Sequence, residues 1–273
     1  MEITSGIFVA IIIVAFLCTY MSVSLGMGYG STLTPLLLVA GFLPLQVVPS
    51  VLLGQLMGGI VGGFSHHKFG NIKLDFKRDK ELLKRRLRGL GYIPASHDSK
   101  VVFVLAICGI AGAVVAVFFA VNIPRIVLET YIGGMILVIG LVILIRRNRK
   151  FAFSWKGLVG VGLISAFNKG VSGGGYGPLV TGGQLISGRD AKSSIGSTTL
   201  AEAFICMVAF LSYVIVKGDI YWRLAAAISI GSVIASPLAA LTTKKMQTKN
   251  LKLIIGVLVT ILGALTLAKT YIL

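Results

Sequence analysis

The chain has 273 residues, 56% of them hydrophobic and 13% charged, and 26 Lys and Arg against nine Asp and Glu give a net charge of +17. A soluble domain carries about 25% charged residues, and the mean hydropathy here is +0.93. The apolar residues come in long blocks, which excludes a soluble domain and equally a membrane barrel built from alternating strands of about ten residues. The expected class is an all-α polytopic membrane protein.

The basic excess reads as the positive-inside bias of a membrane protein, not as nucleic-acid recognition. Cys18, Cys108 and Cys206 each stand alone in an apolar block, so packing is their expected role. Neither disulfide nor metal spacing is present, and no cofactor is expected. Met1-Glu2-Ile3-Thr4 lacks the basic start of a signal peptide, so the first helix is expected to be retained.

In chain order, residues 6–25 are long enough to span and run into Gly26-Met27-Gly28-Tyr29-Gly30. The piece 31–43, closed by Pro44, is too short to cross a hydrocarbon core of about 30 Å and reads as a half-helix. Residues 46–64 follow. Residues 65–100 form a polar insertion with ten basic residues, among which Leu74, Phe76, Leu82, Leu83, Leu87 and Leu90 are interleaved. This reads as a basic amphipathic helix on anionic lipid or, equally, as a solvated loop. Residues 101–121 and 126–145 span, and five basic residues lie between 146 and 156. The segment 157–168 begins a helix that is expected to break in Gly170-Val171-Ser172-Gly173-Gly174-Gly175-Tyr176-Gly177-Pro178. A second short piece, 178–187, leads to a turn in which Arg189 and Asp190 are expected to pair locally. Residues 195–216 and 222–241 span, Lys244, Lys245, Lys249 and Lys252 mark the third basic loop, and 253–272 end the chain. Ten hydrophobic segments, two of them half-length, make about eight to ten membrane segments. The basic loops are expected inside the cytoplasmic membrane, with both termini outside.

The two glycine-rich breaks align at an offset of 147: Gly26–Gly30 falls on Gly173–Gly177, Thr34 on Thr181, Gly41 on Gly188, Ser50 on Ser197 and Gln55 on Glu202. The chain therefore reads as a tandem duplication, 1–146 and 151–273. Equivalent loops fall on opposite sides by charge, so the repeats are expected to be inverted, with interrupted helices meeting at a substrate site.

A broken helix offers unpaired N–H groups and the positive end of its dipole, and glycine lets an anion approach them. Gly28, Tyr29, Gly30, Ser172, Gly173, Gly174, Gly175 and Tyr176 are the candidate binding residues at the breaks. Lys169 is a candidate to neutralise an anion, at a cost of about 2.5 kcal/mol or more at membrane depth. Gln55, Asn168, Thr198 and Thr199 are candidate polar liners, and Glu202 is the candidate proton carrier or a partner for Lys169, with structural hydrogen bonding by Glu202 and Gln55 as the equal alternative. Close helix packing is the alternative role for the glycines. Gly170-Val171-Ser172-Gly173-Gly174 also fits G-x-S-x-G, but His66, His67 and His97 lie at or beyond a segment end, so no catalytic role is expected.

A glycine-rich run, then a proline and a short apolar piece, occurring twice with a small-residue helix after each, resembles the TauE/SafE family of sulfite exporters. So does His66-His67-Lys68-Phe69-Gly70-Asn71-Ile72, which ends on Gly-Asn-Ile. The likeness covers nearly the whole chain and is closest over Ser172 to Pro178. The first break departs from it, with Met27 and Tyr29 between the glycines and Pro35 further on, and the 74–100 insertion is long. The resemblance implies a secondary transporter of small anions, sulfur oxyanions or organosulfonates, in a prokaryotic cytoplasmic membrane. A passive anion channel and a membrane component of a partner complex are the alternatives. A homodimer is compatible with the sequence, which fixes no oligomeric state.

Overall fold

The computed structural model of the chain describes residues 3–27, 29–78, 92–94, 96–120, 125–145, 154–172, 176–217 and 220–272. Among them, helices α1 (Ser5–Leu25), α2 (Tyr29–Val39) and α3 (Pro44–Lys68) come first, followed by two short strands, β1 (Phe76–Arg78) and β2 (Tyr92–Pro94). Then come α4 (His97–Ala120), α5 (Arg125–Ile145), α6 (Trp155–Ser172), α7 (Tyr176–Ile186), α8 (Ala191–Lys217), α9 (Trp222–Lys245) and α10 (Thr248–Ile272). The protein is an all-α polytopic membrane protein, and among the described residues β1 and β2 form a short antiparallel pair outside the helices.

Local chemistry sets the helix ends. The Thr4 hydroxyl accepts the Ile7 N–H at the start of α1, and the Asp190 carboxylate accepts the Lys192 N–H at the start of α8. Gly26 ends α1 in the left-handed region, φ +74°, and its N–H donates to Ser22 O. Glycine adopts that conformation without a Cβ penalty. Pro178 lies in the first turn of α7, where its missing N–H costs no internal bond. The helix α6 runs further than the sequence suggests: Asn168 to Ser172 form its last turn, because Gly170 alone does not stop a helix already propagating.

The half-helices α2 and α7 have eleven residues each, about 16 Å, half of a hydrocarbon core. Their ends coincide with the sequence offset: 25 and 172, 29 and 176, 39 and 186, and 44 and 191 all differ by 147. Each half-helix folds back beside the helix before it. Ile3, before α1, shares one apolar cluster with Leu37, Phe42 and Val47, and with Leu224 at the start of α9. Ser154, before α6, donates its N–H to Ser187 O after α7, at 3.2 Å. Lys192, just beyond, donates to Lys244 O at the end of α9. The α1–α2 and α6–α7 hairpins therefore open toward opposite ends of α9.

Packing crosses between the halves of the chain. α9 packs on α1 and α3, and α4 packs on α6 and α8; α3 crosses α8, and α5 lies along α10. Small residues permit the closest approaches. A Cβ on Gly59 of α3 would lie 2.9 Å from the Ala203 Cβ of α8, and one on Gly263 of α10 would meet the Leu137 backbone of α5. Outward faces are apolar: Val9, Ile13 and Leu17 line α1, and Ile230, Ile234 and Leu238 line α9, all exposed and four residues apart. Such stripes suit lipid rather than water. Four described helices, α1, α3, α8 and α9, carry windows long and apolar enough to cross a membrane.

The end of the molecule holding the C-terminus of α9 is basic. Lys68, Lys73, Lys100, Lys156, Lys244 and Lys245 are exposed there. The described parts of the insertion over 65–100 are its two ends. α3 continues to Lys68, α4 starts at His97, and β1 pairs antiparallel with β2, Phe76 opposite Pro94 and Arg78 opposite Tyr92. The alternation Leu74-Asp75-Phe76-Lys77 has the period of a strand, which favours β1. Residues 79–91, including Leu82, Leu83, Leu87 and Leu90, lie outside the described residues.

Candidate functional site

The two hairpins meet at their tips. A Cβ on Gly177, in the first turn of α7, would lie 2.9 Å from both Gly26 O and Met27 Cα. Only glycine allows that approach. The Thr181 hydroxyl, one turn along α7, donates to Gly26 O at 2.7 Å and contacts the Thr198 hydroxyl at 3.1 Å. Both half-helices thus begin inside the bundle, with the positive ends of their dipoles inward and their first-turn N–H groups outside the helical bonding pattern.

Tyr29 and Tyr176 are the first residues of α2 and α7, and both are buried. The Tyr29 hydroxyl lies 3.0 Å from Ser232 Oγ, which also accepts from Thr19 at 2.9 Å, so Tyr29 ties α2 to α9 and α1. Gly30 follows it in the first turn of α2. Gln55 and Glu202 are buried on α3 and α8, where these helices cross. Gln55 accepts the Cys206 thiol at 3.4 Å. Thr198 accepts from Gln184 Nε2 at 2.8 Å and lies 3.1 Å from the Thr181 hydroxyl, whose proton goes to Gly26 O. Thr199 instead turns its hydroxyl to Ile195 O in its own helix, at 2.9 Å. Asn168, Lys169 and Ser172 lie in the last turn of α6; their side chains, and all of Gly28, Gly173, Gly174 and Gly175, lie outside the described residues.

Sequence reasoning missed a polar chain beside these residues. Arg189 does not pair with its neighbour Asp190. It reaches Asp98 at the start of α4, 91 positions away, with its side chain only 3% exposed. The same guanidinium donates to Gln184 Oε1 and to Ser197 Oγ, the latter at 2.8 Å. Burial pulls the Arg189 pKa down and the Asp98 charge pushes it back up. Asp98 also accepts the Lys73 N–H at 2.8 Å. A continuous series therefore runs from Lys73 and Asp98 through Arg189, Gln184, Ser197, Thr198 and Thr181 to Gly26 O at the hairpin tips. Its two outer links, Arg189 to Asp98 and Thr181 to Gly26 O, join residues 91 and 155 positions apart, so no local pattern announces the whole series.

The His66–Asn71 motif also gains a structural role. Gly70 has φ +78° and turns the chain back, and the Asn71 amide donates to His66 Nδ1 at 2.9 Å and to Ala240 O at 2.8 Å. His66 Nε2 then donates to Val23 O at 2.9 Å. Both ring nitrogens are occupied, so His66 clamps α1, α3 and α9 together.

Residues 89–266 match the family model described as sulfite exporter TauE/SafE. The chain belongs to the TauE/SafE family. It is 28% identical over 261 residues to the probable membrane transporter protein YtnM of Bacillus subtilis (strain 168), covering 91% of this chain and 79% of that protein. No solved structure matches. The family match takes in the second hairpin, Glu202, Arg189 and Asp98, and leaves the first hairpin outside it. Membership makes this chain a multi-pass membrane transporter.

Proposed function

We propose that the protein is a secondary transporter of a small anion, a sulfur oxyanion or organosulfonate, and that the anion sits between the two hairpin tips. The contact of Gly177 with Gly26 carries the reading, because it brings two inward-facing helix N-termini to one place inside the bundle. The matching helix ends and the opposed openings of the hairpins support an inverted-topology duplication, in which the halves rock about the site. Lys169, one turn before the second break, supplies positive charge, while its equivalent Ser22 is neutral. Glu202 is the proton carrier, and its equivalent Gln55 is a hydrogen-bonding partner only. The basic end faces the cytoplasm across the inner membrane, where its exposed lysines meet anionic lipid headgroups.

Binding is the direct test. Sulfite, thiosulfate or a sulfonate is expected to raise the melting temperature of the purified protein, since a ligand stabilises the state it binds. Lys169→Ala is expected to weaken that binding about tenfold without altering the unliganded melt; equal affinity removes Lys169 from the site. Glu202→Gln is expected to abolish the pH dependence of transport, and an unaltered pH response assigns the proton elsewhere.

A further inference from the structure

The two hairpins are sealed by opposite chemistry. At the offset of 147, Leu37, Phe42, Val47 and Val51 correspond to Gln184, Arg189, Ser194 and Thr198. The first four are buried in one apolar cluster where the α1–α2 hairpin opens. The second four are equally buried where the α6–α7 hairpin opens, at the basic end, yet all are polar. An apolar seal holds by excluding water. A buried polar seal holds only while each group keeps a partner, and an ion of the right shape can replace one of them.

Arg189 is the charged member of that seal. It stands on the turn between α7 and α8, and Asp98 holds it from the start of α4. The pair thus ties the second hairpin to a helix of the first half of the chain. A guanidinium fork recognises carboxylates and tetrahedral oxyanions by the same paired N–H donors. Behind it, Gln184, Ser197, Thr198 and Thr181 lead to the hairpin tips at hydrogen-bonding distances throughout.

We propose that the Asp98–Arg189 pair is the latch of a gate at the basic end, opened when a small oxyanion replaces the Asp98 carboxylate on Arg189 and moves inward along the polar chain. The proposal rests on the anion-transport reading for its ligand, while the latch itself is testable without transport.

The test places a reporter thiol at Ser194, which is fully buried and whose hydroxyl bonds only within its own turn, to Asp190 O. The full chain carrying Ser194→Cys is treated in detergent with a polar maleimide. Rates are read against the same protein without that thiol, which accounts for Cys18, Cys108 and Cys206. With the latch intact, labelling is slow. Asp98→Asn, which leaves the buried guanidinium without its carboxylate and is expected to lower the melting temperature, is expected to speed labelling at least tenfold at a temperature well below the variant's own melt. The reversed pair, Asp98→Arg with Arg189→Asp, is expected to bring it back within threefold of the start. Methanesulfonate, inert to maleimide, is expected to speed labelling in the intact protein and not in Asp98→Asn. Should Asp98→Asn fail to fold, Arg189→Lys, which keeps the charge and loses the fork, is expected to speed labelling to a lesser degree. Labelling unmoved by Asp98→Asn or by Arg189→Lys overturns the latch. Labelling that rises in the variants but ignores methanesulfonate overturns the exchange of anion for carboxylate. Neither outcome bears on the melting-temperature test of the anion site.

Discussion

At the scale of single residues, stability rests on a few buried polar groups whose partners lie far away in sequence. Asn71 is the clearest case, because one amide serves His66 Nδ1 and Ala240 O at once. Its removal leaves the buried imidazole nitrogen without that donor, and an unmet buried acceptor costs about 1–3 kcal/mol. Asn71→Ala is therefore expected to lower the melting temperature clearly, while substitution of the exposed Lys68 leaves it unchanged; equal melts for both variants would remove the clamp from the account. The motif containing Asn71 is legible in sequence as a likeness to a family. Its mechanical reason is not, since the partners Val23 and Ala240 come from other helices. Arg189 teaches the same lesson more sharply. A local pair with Asp190 is the economical reading of an Arg-Asp dipeptide, yet Asp190 is occupied in capping α8, and the guanidinium lies buried against Asp98.

At the scale of elements, the half-helices are what the sequence announces best. Glycine and proline act through the backbone at their own positions, so the breaks before Tyr29 and Tyr176 can be placed within a few residues. The less legible ends are those set by propagation or pairing. α6 continues through Gly170 to Ser172, and the strand pair at Phe76 and Pro94 closes only through its partner. The meeting of the hairpins makes a prediction of its own. A methyl group on Gly177 faces backbone atoms of Gly26 and Met27, which have no rotamer to yield. Gly177→Ala is expected to cost about 1–3 kcal/mol of stability through overpacking and to slow transport at least tenfold. Gly6→Ala, where a Cβ meets nothing within 4 Å, is the control and is expected to change neither. Full activity in Gly177→Ala would separate the hairpin tips from the transport site.

At the scale of the whole molecule, composition and block length already define a helical membrane protein, and the spacing of 147 relates the ends of its two half-helices. What the sequence leaves open is how the halves interlock. The packing of α4 with α6 and α8, and of α9 with α1 and α3, puts one helix of each half inside the other, so relative motion of the halves has to slide these contacts. The central claim, a coupled anion carrier with its site between the hairpin tips, is tested most directly by counterflow in liposomes. Vesicles loaded with unlabelled sulfite, thiosulfate or sulfoacetate, and diluted into trace label, are expected to accumulate that label transiently above its external concentration. Equilibration without overshoot would indicate a channel, and no entry of any of these anions into vesicles holding folded protein would contradict the account outright.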